Sequence, residues 1–520
     1  MEGAAAKGQA MLGSVLSGIF DRAAHRLSPI DLLLVAVYLA GITIFGLRFR
    51  SKDRSLKSYF LADRSIPWWA IALSIVAAET STLTIISVPG LAYAGDWGFF
   101  QIAIGYLLGR AVVCVLLLPR YFRGELMTAY QVIGQRFGPR LHRLTALLFL
   151  FLRAAAEGVR VFAISIVVGM AIGTGDVISI AVICALTLVY TLEGGLAAVI
   201  WTDVVQMFLY VAGTLVTAAM LGSRVPGGWH GIYSAAAGDG KLAVFHFAAN
   251  LTQTYTFWAG AIGGCFLTMA SHGTDQLMVQ RLLAAKNLRS SQIALLTSGA
   301  VVAIQFALFL AIGTGLYFFY RLPGAGIPPA NPDRIFPAFL VQYLPRGAAG
   351  LMVAAILAAA MSNLSAAVNS LSSSSMVDFY LHWRPETSES QRARISRWLT
   401  LFWAMALFVL AILSRHGGSV VETGLSIASV AYGSLLGVFL LGTLSPSSTE
   451  AGAMAGMICG LTANLLLWRQ SHAFTLHAGA LHWTMPKIAW TWFVLAGSCI
   501  TFAAGWIASR ILPGERRRAA

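Results

Sequence analysis

Glu79-Thr80-Ser81-Thr82 stands in the middle of the apolar run Ile66–Tyr93. A carboxylate and three hydroxyls at that depth of a membrane helix are costly unless they bind something. A second apolar run, Leu351–Met376, carries a row of hydroxyls at Ser362, Ser365, Ser370, Ser372 and Ser373. Polar oxygens from two apolar segments suggest a cation held between two membrane helices. That arrangement points to ion-coupled transport.

The rest of the chain supports a membrane setting. Of its 520 residues, 58% are hydrophobic and only 11% charged, where a soluble protein carries about a quarter charged. Thirteen apolar stretches are long enough, or nearly so, to cross a hydrocarbon core of ~30 Å. Helices are the expected spanning form, because a barrel would show short alternating strands instead. The fold class expected is therefore an all-α membrane protein of about 13 transmembrane helices. Residues 29–512 read as one transporter domain, with no low-complexity linker. Met11–Phe20, within the tail 1–28, has the make-up of a short interfacial helix, and a disordered tail competes with that reading. Residues 513–520 form a basic C-terminal tail. The five cysteines show no metal or disulfide spacing, so packing is their expected role.

The net charge of +15 does not indicate nucleic acid. With the N-terminus outside and the spans alternating, 22 of the 36 Lys and Arg fall on the inner side and 11 on the outer. That excess favours N-out, C-in. Ile335-Phe336-Pro337-Ala338-Phe339, in the outer loop Arg321–Gly347, is apolar enough to fold as a short helix over that face.

Secondary transporters often contain inverted repeats whose first helices are interrupted near the midplane. The run Ile66–Tyr93 is interrupted at Glu79 and again at Pro89-Gly90. Five spans later Phe257–Ala270 is short and rich in small residues. Two five-helix repeats follow, about 66–222 and 251–444, with peripheral helices near 30–47, 451–467 and 488–507.

At this point the chain resembles the sodium/solute symporter family. The residues that carry the likeness are Ser58-Tyr59-Phe60-Leu61-Ala62, Val88-Pro89-Gly90-Leu91-Ala92-Tyr93, Thr128-Ala129-Tyr130 with Arg136-Phe137-Gly138, and Gly194-Gly195 through Trp201-Thr202-Asp203. Gln280-Arg281, Ala284 to Leu288, Ala358 to Asn363, Asn369-Ser370 and Asp378-Phe379-Tyr380 continue it. Each motif is weak alone, but their order and spacing are specific. The resemblance implies a LeuT-type fold with ten core helices in a 5+5 inverted repeat, and sodium as the co-transported ion.

It also implies a sodium site: carbonyls of Ala77, Thr80 and Ala359, and side-chain oxygens of Ser362 and Asn363. Positions 359, 362, 363 and 366 share one helical face. Asn363 departs from the Ser or Thr of many relatives, and its oxygen reaches further. Against ligation stands the bland use of membrane serines, which cap their own backbone or permit close packing. Asp203 is expected to support the site, with a helix N-cap after Thr202 as the competing role. Relatives with a second sodium use this acid and hydroxyls one turn further on. Ser365 fits that turn and Ala366 does not, which favours one ion.

Glu79 is expected to bind solute, tune sodium affinity or carry a proton. Thr84, Thr268 and Ser271 are pocket-facing candidates. Arg153, Glu157 and Arg160 lie at spacings that let them neutralise one another. The sharper reading has Arg160 face the cavity and hold a carboxylate. Arg110 either adds to that or snorkels, and His272 reads as structural. No catalytic triad, phosphate loop or metal cluster is legible, so no enzyme is expected. Sodium-coupled import of a small organic solute by alternating access, across a bacterial inner (plasma) membrane, is the reading. The alternatives are proton coupling through Glu79 and a non-transporting ligand sensor. Carboxylates, vitamins, amino acids and sugars all remain open as solutes.

Overall fold

The computed structural model describes residues 28–49, 55–80, 82–172, 176–414, 420–470, 475–478, 481–484 and 488–512. Of the expected N-terminal tail 1–28, residues 1–27 lie outside them, as does the expected C-terminal tail 513–520. Among the described residues the regular secondary structure is helical, apart from a two-stranded hairpin. Its strands Thr475–Ala478 and Leu481–Thr484 pair antiparallel.

The principal helices are α1 (Pro29–Leu47), the broken pair α2 (Trp68–Glu79) and α3 (Thr82–Ala94), α4 (Gln101–Leu116), α5 (Pro139–Ile172) and α6 (Asp176–Arg224). Then come α7 (Gly264–Gly273), α8 (Gln276–Leu283), α9 (Leu288–Phe319), α10 (Ile335–Tyr343) and α11 (Ala348–Ser374). The last are α12 (Glu389–Leu413), α13 (Val420–Leu444), α14 (Glu450–Gln470) and α15 (Phe493–Ile511).

Among the described residues eight helices are long and apolar enough to cross a bilayer, or nine with α2–α3 counted as one bent span. The expected thirteen exceeds this for identifiable reasons. The stretch Phe257–Ala270 becomes a π-helical turn, Ala259–Gly263, followed by the ten-residue α7. The stretch Leu144–Met170 lies within α5, which carries Arg153, Glu157 and Arg160. Val177–Ile200 and Val204–Leu221 divide not at 201–203 but at a break inside α6, at Gly195, where φ is +53° and ψ −147°; before it only the short stretch Val177–Val189 is apolar, and after it Gly195–Arg224 is one of the eight. A side chain is strained at that φ, and a Cβ there would meet the Tyr59 carbonyl oxygen at 2.4 Å.

α11 lies at the centre. All its residues but two are buried, so it meets protein on nearly every side. α1, α12, α14 and α15 show broad apolar faces outward, as lipid-facing helices do. At one end of the bundle α10 forms as expected and packs on α9, with Phe339 and Tyr343 at 5.0 and 4.9 Å from Phe319. Near the same end Lys241 caps the last turn of α3, donating to the carbonyls of Tyr93 at 2.7 Å and Gly95 at 2.8 Å. The helix Gly228–Gly238, in the preceding connection, was not foreseen.

Candidate cation and solute site

The break between α2 and α3 falls on the polar cluster. The two halves meet at 62°. Thr80 closes α2: its N–H bonds the Val76 carbonyl at 2.9 Å, and its ψ of 85° takes the chain off the helix path. A helix that stops there leaves its last carbonyls without intrahelical donors, and a cation is favoured at such an end. The Thr80 hydroxyl donates to Oε1 of Gln305 on α9 at 2.7 Å.

α11 passes beside α2, and one carboxylate spans the gap. Asp203 on α6 accepts from Ser74 of α2 at 2.6 Å and from Ser362 of α11 at 2.7 Å. Arg281 of α8 pairs with the same carboxylate at 2.9 Å, and its Nε donates to Ser74 at 2.8 Å. All four residues are buried. Removing a charge from water is costly unless it is paired and hydrogen-bonded, and Asp203 is both. The N-cap role weighed for Asp203 does not hold. The residue sits in the interior of α6, and the polar step Thr202-Asp203 is absorbed by local partners. Thr202, for instance, donates to the Ala198 carbonyl at 2.8 Å.

On α11, Asn363 donates through Nδ2 to the Ala359 carbonyl at 3.1 Å. Its Oδ1 is buried with no hydrogen-bond partner. A buried acceptor left over in this way calls for an explanation. Ser365 bonds back to the Ser362 carbonyl at 3.0 Å, the bland role foreseen for such serines.

Glu79 heads a second cluster. Its Oε2 is paired with Nη2 of Arg110 on α4, and the Glu79 side chain keeps 13% of its surface open while that of Arg110 keeps none. His272 Nε2 lies 3.2 Å from Arg110 and 3.5 Å from Glu79, and Ser271 lies 2.9 Å from His272 Nδ1. The snorkelling option for Arg110 is therefore overturned: its guanidinium is directed into the protein. α4 and α7 touch closely because Gly105 and Gly109 leave no side chain between them. A Cβ at Gly109 would meet the Cys265 carbonyl oxygen at 2.5 Å and Thr268 Cβ at 2.7 Å. Thr268, beside it, is buried with Oγ1 unpartnered. Thr84 lies half-buried on α3.

A third cluster contains Arg153, Glu157 and Arg160. Glu157 Oε2 lies 3.3 Å from Arg153 and 3.4 Å from Arg160. Arg153 also reaches Asp275 at 3.4 Å, and Asp275 accepts from Tyr432 at 2.6 Å. Counting Asp275 removes the net positive charge that the trio alone carries. Arg160 remains the accessible member, with 21% of its side chain open against 7% for Arg153.

The expected residues thus fall in three groups rather than one. Ser362, Asn363 and Asp203 stand with α2; Glu79, Thr268 and Ser271 gather around Arg110; Glu157 and Arg160 lie apart. Ser74, Asp275, Arg281, Gln305 and Tyr432 were not assigned a site role from sequence. Arg281 was visible only as part of the Gln280-Arg281 motif, and nothing in the periodicity of the other four separates them from packing residues.

An interrupted spanning helix, set against a buried helix that offers oxygens, is the construction of an ion-coupled secondary transporter. Comparison with known proteins agrees. The model of the sodium:solute symporter family matches residues 59–460. Sodium-coupled monocarboxylate transporter 2 of Danio rerio is 28% identical over 448 residues, covering 84% of this chain and 70% of the relative. The sodium/sialic acid symporter SiaT of Proteus mirabilis is 26% identical over 454 residues, covering 85% and 90%. The sodium-dependent multivitamin transporter of Oryctolagus cuniculus is 30% identical over 448 residues, covering 84% and 69%. A solved Na+-coupled sialic acid symporter, in a substrate-bound outward-open state, superposes with a TM-score of 0.82 at 26% identity, covering 94% of this chain and 99% of that one.

The chain belongs to the sodium:solute symporter family. It is a multi-pass membrane protein of LeuT-type fold and a sodium-coupled symporter of small solutes, not an enzyme.

Proposed function

We propose that sodium binds between the α2–α3 break and α11, held by the carbonyls of Ala77, Thr80 and Ala359 and by Ser362 Oγ and Asn363 Oδ1. The unpartnered Oδ1 of Asn363 is the observation that carries this reading. It supplies a buried acceptor on the helical face that also presents Ala359 and Ser362. Asp203 orients Ser362 by accepting the hydrogen bond that its hydroxyl donates, which leaves the serine lone pairs for the ion. One sodium per cycle fits best, because Asp203 is already neutralised by Arg281 and Ala366 offers no side-chain oxygen. Ser365 is a supporting residue.

The solute is a small organic carboxylate. Arg160 holds it, since its guanidinium is the more accessible of the two beside Glu157, and bidentate carboxylate binding suits arginine. Glu79, Thr84, Glu157, Thr268 and Ser271 border the path. The core repeats span about 66–222 and 251–444. The N-terminus lies outside and the C-terminus inside, in a bacterial inner membrane. Sodium binds from outside, draws α2 against α11 and preorganises the pocket; α10 then closes over the solute and the bundle rocks. One charge moving through 100 mV supplies ~2.3 kcal/mol, roughly 50-fold accumulation before any sodium gradient is added. Coupling requires each ligand to raise the other's affinity by the same factor.

Proteoliposomes loaded for opposing gradients test this. Uptake of radiolabelled monocarboxylates should follow an inward sodium gradient and persist when the pH gradient is collapsed. Uptake driven by protons alone would give the function to Glu79 instead. Binding without gradient-driven flux would make the protein a sensor.

A further inference from the structure

A crevice of about 530 Å³ opens at the end of the bundle opposite α10, where α4 and α13 terminate. Its size lies within the range of small-molecule sites, about 300–1,000 Å³. Arg120, Arg123 and Arg136 line it, and no Asp or Glu does among the described residues. Tyr121, Ile133 and Phe439 form an apolar floor. The crevice thus pairs a cationic mouth with a greasy base at the level where spanning helices end.

The arginines are not equivalent. Arg136 Nη2 donates to the carbonyls of Ser445 and Pro446 at 2.9 Å each, beyond the end of α13. Arg120 donates to Leu116 and, at 3.1 Å, to the Thr443 carbonyl. These bonds fix two guanidinium planes at the end of α13, a place where cations are favoured. Arg123 is exposed, has no ion pair among the described residues, and stands at the mouth. Burial, and after it the neighbouring charge of Arg123, hold Arg120 below the ordinary guanidinium range. Three cations therefore line one opening, with no acid beside them among the described residues.

We propose that this crevice binds an anionic phospholipid, its phosphodiester between Arg120 and Arg123 and its glycerol and first acyl carbons on Tyr121, Ile133 and Phe439. A free phosphate would use the mouth and leave the floor bare. Basic pockets between membrane helices suit such headgroups. Because the crevice wall joins the Ala129–Arg136 helix to α13, an occupant would brace two core elements that the cation site does not touch. The inference is independent of the assignment of the sodium ligands.

The test uses the full chain, purified in mild detergent, with lipid retention read by native mass spectrometry. Phosphatidylglycerol should be retained over phosphatidylcholine. Arg123→Gln should reduce that retention about fivefold, as expected for one arginine near an anionic headgroup. Arg123→Lys should restore most of it, and Arg289→Gln, an exposed arginine outside the crevice, should leave it unchanged. Arg123 is exposed, so its variants are expected to fold, and a monodisperse gel-filtration peak checks this. Unchanged retention in Arg123→Gln would overturn the proposal, as would an equal loss in Arg289→Gln. Complete displacement of the lipid by millimolar inorganic phosphate or glycerol phosphate would assign the mouth to a free anion and also overturn it.

Discussion

Replacing Ser362 by alanine tests the cation site at the point where two of its functions meet. The hydroxyl donates to Asp203 at 2.7 Å and is a proposed sodium ligand through its lone pairs. A hydrogen bond to a charged group is worth about 1.5–3 kcal/mol, and one lost oxygen from a small ligand set removes a charge–dipole contact of similar size. The sodium concentration for half-maximal uptake should therefore rise about tenfold to a hundredfold. Ser74→Ala separates the two functions. It deletes the other hydroxyl donor to Asp203, at 2.6 Å, without touching the ligand set. The assay is sodium-dependent uptake in proteoliposomes at fixed solute and fixed membrane potential. Ser74→Ala should lower stability by about 1.5–3 kcal/mol, as for any hydrogen bond to a charged group, while shifting the sodium requirement less than about threefold, because no proposed ligand oxygen is lost. A Ser362→Ala shift below twofold would refute ligation. Equal shifts in the two variants would show that the effect passes through Asp203. Cys265→Ala, half-buried on α7, should leave the sodium requirement unchanged.

Other consequences follow from the buried pairs. Arg281→Gln strands the Asp203 carboxylate and should cost about 3–5 kcal/mol of stability in a denaturation assay; combining it with Asp203→Asn should recover much of that loss, and no recovery would mean the two residues act separately. Glu79→Gln leaves Arg110 buried without its counter-charge, so expression and thermal stability should fall, while uptake that survives should still follow the sodium gradient. Arg160→Gln should raise the KM for a monocarboxylate about tenfold or more, with the sodium requirement little changed, because a charge-assisted contact is lost from the solute alone. An unchanged KM would remove Arg160 from the pocket.

The sequence displayed some of this plainly. The break at Glu79-Thr80 was legible because four polar residues interrupt an apolar run, and α11 because its hydroxyls recur on a segment too apolar for a surface helix. The pairing of Glu157 with Arg153 and Arg160 was legible because helical spacing fixes near neighbours. Partners distant in the chain were not. Periodicity says which face a residue occupies, not what stands opposite, so a helix cap stood as the competing role for Asp203 while its partner Arg281 lay 78 positions away. Asp275 hid for the same reason, which made the α5 trio look cationic. The boundary between the two apolar stretches of α6 lies at Gly195 rather than at 201–203; a polar step resembles a loop, whereas here Thr202 bonds back into its own helix. Several short motifs acquire reasons only in three dimensions. Gln280 Nε2 donates to the Phe60 carbonyl at 2.8 Å, and Thr128 and His142 both meet Asp378, at 2.5 and 2.8 Å.

The most direct measurement is a structure of the protein prepared in sodium and again in choline, at a resolution that shows ions. Density should appear in the sodium preparation alone, touching the carbonyls of Ala77, Thr80 and Ala359 together with Ser362 Oγ and Asn363 Oδ1. An ion bound elsewhere, or those five oxygens pointing away from one another in sodium, would contradict the account.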